Sequence, residues 1–287
     1  MSLWIAALLG AVQGVFMFLP VSSTAHLVLV QHWLIRSDHP LPAPDSPEMI
    51  LFDLVVHVGT LISIVVVFWV SLKVFCIKLI QQSVRWAGKK GDGSFGLYPR
   101  LFLLGMFSVL CTGILGLSFK SAFQHIFATP EMVAVTLILT GLLLWWTDRL
   151  KPRRRSLKKI NPGVAGVIGL AQGLALMPGL SRSAMTIVFA LFTGLKRRWA
   201  AEYSFFLAIP TILAATLLQS LEVRSLGGMQ GLDFGALAVG FIVAALVGIV
   251  SLKLVVYFLY RARLKVFSFY VWVLAVAILA GILDLPI

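Results

Sequence analysis

The chain has 287 residues, 60% of them hydrophobic and 12% charged, with a mean hydropathy of +0.98. Soluble domains carry about 25% charged residues, so the composition excludes an ordinary soluble protein and indicates an all-α polytopic membrane protein. The net charge of +13 would suit nucleic acid, but its distribution among the loops, set out below, argues for topology instead and against a nucleic-acid partner.

The first apolar stretch, Leu3 to Leu19, has no basic leader and no small-residue cleavage site, so it is not read as a signal peptide. It contains Gln13-Gly14 and runs into a polar island, Leu19-Pro20-Val21-Ser22-Ser23-Thr24-Ala25-His26. If Pro20 breaks one helix, the hydroxyls start the next, where free N–H groups and the helix dipole favour an anion, phosphate above all. His26 follows Ser23 by three residues and Ser22 by one helical turn, so it could serve either hydroxyl as acid or base. A plain helix cap beside a structural histidine is the alternative.

A Pro-rich, acidic-leaning loop over 37–49 comes next, with Asp38, Asp45 and Glu48. Apolar runs near 51–72, 101–119 and 132–147 then have roughly the ~17–25 residues a bilayer-spanning helix needs. Asp53 opens the first of them, with His57 one turn later; an acid there is either functional or a dipole partner. The segment 160–199 carries a second island, Gln172-Gly173 followed by Met177-Pro178-Gly179-Leu180-Ser181-Arg182-Ser183-Ala184-Met185-Thr186. Further apolar runs lie near 203–221, 234–252 and 266–283, and Glu202 precedes the first of them in the place Asp53 holds earlier. Cys76 and Cys111 fall in or beside apolar runs, which argues against a disulfide or metal cluster.

Six spans divide the loops into two alternating sets. Loops 71–100, 148–160, 194–199 and 253–265 hold 20 of the 24 Lys and Arg; the other set has Arg36, Lys120 and Arg224, and Arg182 completes the count. The excess of cations predicts that the first set faces the cytoplasm. Segment 160–199 then begins and ends on the cytoplasmic side, so it is predicted to be a re-entrant hairpin with the island at its tip. Residues 1–36 are its predicted counterpart from the outside. Each half is one hairpin plus three spans, giving repeat one over 1–150 and an inverted repeat two over 160–287 within a single membrane domain, 1–287.

Arg182 is the one cation this topology places inside the membrane. Charge there is expensive and marks a substrate path or an ion pair. A guanidinium presents a planar fork of donors suited to phosphate oxygens, and Ser181 and Ser183 flank it with hydroxyls. Gly179 lets backbone approach a ligand. The alternative for Arg182 is a salt bridge to Glu202 or Asp53. Gln13 and Gln172 either orient a substrate or bond across helices.

These residues resemble the two signature regions of the undecaprenyl-diphosphatase (bacitracin-resistance) membrane phosphatases. The first family pattern is Glu or Gln, three residues, Glu, then Phe-Leu-Pro-Val-Ser-Ser-Thr-Gly-His; the second is Pro-Gly-x-Ser-Arg-Ser-Gly-x-Thr. The likeness extends to Phe52-Asp53, Gly59-Thr60 and Ala200 through Pro210. It implies hydrolysis of a polyprenyl diphosphate to the monophosphate plus phosphate, recycling the lipid carrier of cell-wall synthesis. Ser23 would be the nucleophile, His26 its acid/base partner and Arg182 the diphosphate clamp. Gln13, Ser22, Thr24, Gln172, Gly179, Ser181, Ser183 and Glu202 make up the expected substrate-binding set. The resemblance also implies a divalent cation, magnesium or calcium, for which Gln13, Asp53 and Glu202 are weak candidate ligands. It further implies a multi-pass protein of the bacterial inner membrane, among bilayer lipids, with its site open to the periplasm; a homodimer is compatible with this.

The chain departs from the family pattern at three positions. Met17 replaces the second Glu, and Ala25 and Ala184 replace glycines. A thioether neither holds a hard cation nor moves protons, and Gln13 can ligate through its carbonyl but cannot act as a base. Met17 therefore leaves a second expectation open: a protein that binds or flips polyprenyl phosphate without cleaving it. A generic ion-coupled transporter is weaker, with only Asp53 and Glu202 as membrane acids.

Overall fold

Several helix starts are written as a capping side chain followed by proline. Ser46-Pro47, Thr129-Pro130 and Asn161-Pro162 each place a side-chain oxygen on a first-turn N–H, of Met49 at 3.2 Å, Met132 at 3.4 Å and Val164 at 2.9 Å. The proline that follows has no N–H to leave unpaired. The computed structural model describes residues 1–44, 46–88, 95–126, 129–177, 179–225 and 233–283. Pro178 of the second island lies outside them, as do Asp45, Lys89, Lys90 and the side chain of Lys120.

The described elements are α1 (Leu3–Phe16), α2 (Ser23–Arg36), α3 (Pro47–Val67), α4 (Trp69–Ala87), α5 (Leu97–Ile126), α6 (Pro130–Asp148), α7 (Pro162–Leu174), α8 (Arg182–Phe192), α9 (Arg197–Ser225), α10 (Phe234–Tyr260) and α11 (Lys265–Leu279). A short 3-10 turn covers Leu157–Lys159, and no strand is formed among the described residues. Helices α3, α5, α6, α9 and α10 are long and apolar enough to cross a membrane. The sixth expected span becomes α11, which has only 15 residues.

The surface is inside-out for a soluble protein. Leu110, Ile114 and Leu117 on α5 are 58%, 58% and 70% exposed, and Ile242, Leu246 and Val250 on α10 are 54%, 61% and 68% exposed. Apolar stripes of this extent need a lipid environment, so the chain is a multi-pass membrane protein.

One expected loop is a helix. Most of 71–100 was expected to be a basic connection, but α4 fills its first part. Val70, Val74, Ile77 and Val84 recur at helical spacing and all are exposed, with Lys73, Lys78 and Arg85 between them. A count of cations registers the charges and misses the amphipathic period beneath them.

Close helix packing depends on small residues. Helix α1 lies along α10 with Gly10 against the Gly240 backbone and Gly14 against Ala244 and Gly248. On its other side α10 meets α3, with Gly240 under the Phe52 ring and Ser63 Oγ donating to the Ala245 carbonyl at 2.8 Å. Helix α7 lies on α5 in the same manner: Gly169 faces the Ser108 backbone, and Thr112 Oγ1 donates to the Gly169 carbonyl at 2.9 Å. Small faces let backbones approach where hydrophobic attraction between lipid-soluble helices is absent. Helix α6 pairs with α11, with Trp272 Nε1 donating to the Ile138 carbonyl at 3.2 Å.

A methyl group added at Gly10 would overlap Gly240 backbone atoms, whereas one at Gly105 meets nothing within 4 Å. Gly10→Val should therefore cost about 1–3 kcal/mol or more, as core overpacking does, while Gly105→Ala should leave stability unchanged or slightly raised. Thermal unfolding in detergent micelles reads both, and equal melting temperatures for the two variants would rule out this account of the α1–α10 contact.

Candidate active site

The segment between α1 and α2 and the start of α8 touch. Ser183 Oγ donates to the Leu19 carbonyl at 3.4 Å, and Arg182 Nη2 donates to the Met17 thioether at 3.7 Å. The same sulfur accepts from Gln13 Nε2 at 3.2 Å. The two polar islands, about half a chain apart in sequence, are thus in contact through Met17 and Leu19.

The two helices that begin here are in register. Ser22 and Ser181 hold the N-cap positions of α2 and α8; Ser23 and Arg182 are the first helical residues, Thr24 and Ser183 the second. The caps differ in chemistry. Ser181 Oγ accepts from the Ala184 N–H at 3.3 Å. Ser22 sits at φ 69° in the left-handed region and makes no side-chain cap, a backbone state that costs roughly 1–2 kcal/mol for a residue with a Cβ. The first-turn N–H groups of α2 therefore have no capping side chain. Ser23 is half-buried there and Thr24 exposed. Ahead of α8, Gly179 has φ +86°, and a Cβ would collide with Thr136 and the Val133 carbonyl, so glycine is required.

Arg182 is half-buried, and its Nη1 is sealed from solvent with no partner. Among the described residues no carboxylate pairs with it. The two acids expected as partners are committed elsewhere: Asp53 accepts from Gln31 Nε2 at 3.1 and 3.4 Å, and Glu202, 5% exposed, pairs with Arg198 at 3.0 Å. The cation one turn before Glu202 takes its charge, so none of Glu202's hydrogen bonds reaches either island. His57 Nδ1 donates to the Asp53 carbonyl at 2.7 Å, and its ring lies within electrostatic reach of Arg182.

His26 is buried and does not bond to Ser23. Its Nδ1 lies 2.7 Å from the Ser22 carbonyl and its Nε2 2.7 Å from the Tyr270 hydroxyl, while Phe16 stacks on the ring at 3.8 Å. A carbonyl only accepts, so Nδ1 carries the proton and Nε2 accepts from Tyr270. Tyr270 is the site neighbour that sequence reasoning missed; it stands 244 residues from His26, with no motif around it.

The two glutamines divide. Gln172 Nε2 donates to Thr112 Oγ1 at 3.0 Å and Thr211 Oγ1 at 2.9 Å, tying α7 to α5 and α9. Gln13 stands at the junction itself, and the Oε1 atoms of both are buried without partners. The divalent cation implied by the resemblance meets a poor donor set here. Magnesium and calcium require several oxygen ligands, whereas the junction offers Gln13 Oε1 and a thioether, with Asp53 and Glu202 engaged elsewhere. Among the described residues no group of three or more His, Cys, Asp or Glu could hold a metal.

The chain matches the family model described as bacitracin resistance protein BacA over residues 6–277. It is 72% identical over 285 residues to an undecaprenyl-diphosphatase of Alkalilimnicola ehrlichii, covering 99% of this chain and 98% of that protein. An undecaprenyl-diphosphatase of Halorhodospira halophila is 68% identical over 287 residues, covering all of both chains. One from Carboxydothermus hydrogenoformans is 36% identical over 275 residues, covering 96% of this chain and 95% of that protein.

Proposed function

The chain belongs to the bacitracin resistance protein BacA family, and from that premise we propose that it is a phosphatase that hydrolyses undecaprenyl diphosphate to the monophosphate and inorganic phosphate. This reaction recycles the lipid carrier of cell-wall synthesis. The observation that carries the reading at the level of residues is the orphaned Arg182 Nη1, in contact through Met17 with the segment that leads into the uncapped start of α2. A buried donor with no acceptor is costly, and a diphosphate supplies acceptors for Arg182 and for the free N–H groups of α2 together.

The chemistry then follows from the chain's own residues. Arg182 and the α2 N-terminus hold the phosphoryl oxygens and stabilise the charge that builds on them. Ser23 Oγ attacks the terminal phosphorus, the bridging P–O bond breaks, and the prenyl monophosphate leaves. Water then cleaves the seryl phosphate. His26 takes the Ser23 proton and returns it to the leaving group. No step is routed through a metal, because the donor set does not fit one.

The proposed architecture is a pair of inverted repeats with two re-entrant hairpins. Two features support it: α1 on α10 is mirrored by α7 on α5, and α1, α2, α7 and α8, with 14, 14, 13 and 11 residues, fall short of the ~20 a span needs. The segregation of cations supports an inner-membrane orientation with the Ser23 tip reached from the periplasm.

Met17 favours a second reading, binding or flipping of the polyprenyl phosphate without cleavage. Purified protein given undecaprenyl diphosphate decides between them: hydrolysis predicts steady phosphate release, and no release across several divalent metals would discard the phosphatase reading. Met17→Glu adds a carboxylate beside Gln13 and Arg182. It should make turnover respond to added magnesium, raising it by roughly tenfold, where the wild type stays flat, measured as phosphate release over a metal titration; an unchanged titration would show that the thioether site works without a carboxylate.

A further inference from the structure

The contacts of His26 assign a role to a residue outside both islands. Nδ1 is the ring nitrogen on the Ser23 side, because the Ser22 carbonyl it faces is bonded to the Ser23 nitrogen. The opposite nitrogen, Nε2, faces α11 and the Tyr270 hydroxyl. In the resting arrangement the proton is on Nδ1, and a protonated Nδ1 cannot take another proton from Ser23. Base action requires the other tautomer, with the proton on Nε2 and the lone pair of Nδ1 turned to the hydroxyl.

A phenol is both donor and acceptor. By turning its O–H, the Tyr270 hydroxyl can donate to a bare Nε2 or accept from a protonated one, so it satisfies Nε2 in both tautomers. Phe16 stacks on the imidazole at 3.8 Å and keeps its plane fixed. Among the described residues, α1 faces His26 with Phe16, α11 with Tyr270, and α2 with the Ser22 carbonyl; no carboxylate fills the orienting place.

We propose that Tyr270 is a positioning residue: its hydroxyl on Nε2 orients His26 and stays paired with that nitrogen in either tautomer, which leaves Nδ1 to serve Ser23. The ring first releases its Nδ1 proton to water and takes one from water at Nε2; when Ser23 attacks, its proton moves to Nδ1 while Nε2–H donates to the Tyr270 oxygen. The Nδ1 proton then passes to the leaving monophosphate, and the ring returns to neutral. The role rests on the reading of His26 as the acid/base of Ser23.

Tyr270 is 43% exposed and its ring lies parallel to those of His26 and Phe16, contacts that removing one hydroxyl leaves intact. Tyr270→Phe should lower kcat by roughly tenfold or more, a share of what general acid–base catalysis contributes, with KM little changed because no substrate contact is lost. Tyr270→Gln, which keeps a donor and an acceptor on the side chain, should recover part of kcat. In protein with nitrogen-15-labelled histidine, the His26 Nε2 resonance, assigned with His26→Asn, should report a hydrogen-bonded lone pair that shifts in Tyr270→Phe.

A folded Tyr270→Phe enzyme with kcat within about twofold of wild type, too small for a proton-handling partner, overturns the proposal. So does an Nε2 resonance that shows no hydrogen bond in the wild type, a result that does not depend on any variant folding. Turnover that survives both Ser23→Ala and His26→Ala would instead remove the reading on which the role rests.

Discussion

Ser23→Ala protein should release almost no phosphate from undecaprenyl diphosphate, with kcat down roughly 10³-fold or more, the scale on which losing a covalent nucleophile is felt. Ser23 is the first residue of α2, half-buried, at a helix start whose N–H groups no side chain caps. Alanine there keeps the backbone donors and removes only the attacking oxygen. Binding of the lipid diphosphate should accordingly stay within a few fold of wild type, since the donors of Arg182 and α2 are untouched. The discriminating measurement is single-turnover phosphate release alongside equilibrium binding in the same detergent. A variant that turns over at the wild-type rate would move the nucleophile to another hydroxyl, with Ser22 and Thr24 next in reach.

Arg182→Ala should cost on the order of 10²–10³-fold in kcat/KM, comparable to deleting a buried donor that stabilises transition-state charge. Arg182→Lys should recover only part of that, because an ammonium keeps the charge but loses the planar fork. Stability gives the sharper signature. The guanidinium has no carboxylate partner among the described residues, its Nη1 is sealed without an acceptor, and its recorded bond is to a thioether. A residue kept for structure would destabilise the protein when removed. An unpaired buried charge is itself a burden on the fold, so Arg182→Ala should melt at or above the wild-type temperature while losing activity. A melting temperature several degrees lower, with activity retained, would make Arg182 structural.

Much of the frame is legible in the primary structure because membrane solvation imposes long apolar runs and sorts cations to one side. The runs near 51–72, 101–119, 132–147, 203–221 and 234–252 correspond to α3, α5, α6, α9 and α10. The islands stand out because hydroxyls and a guanidinium are expensive in hydrocarbon. What escaped has physical causes. Helix α4 has its period masked by Lys73, Lys78 and Arg85. Glu202 was expected in the substrate-binding set, with an ion pair from Arg182 to it or to Asp53 as the alternative, but Arg198, one turn away, pairs with it locally. The orientation of His26 depends on Tyr270, and such a pairing across 244 residues leaves no local signature. The close approach of Gly10 to Gly240 is equally long-range.

That last contact has a consequence for how the protein is made. Gly240 is made about 230 residues after the Gly10 it packs against, roughly 10–50 s at ordinary elongation rates. For that interval the glycine face of α1 lacks the surface it packs against, while the intervening helices are made. The packing of α1, which leads into the segment carrying Ser23, is therefore completed only once α10 has been made.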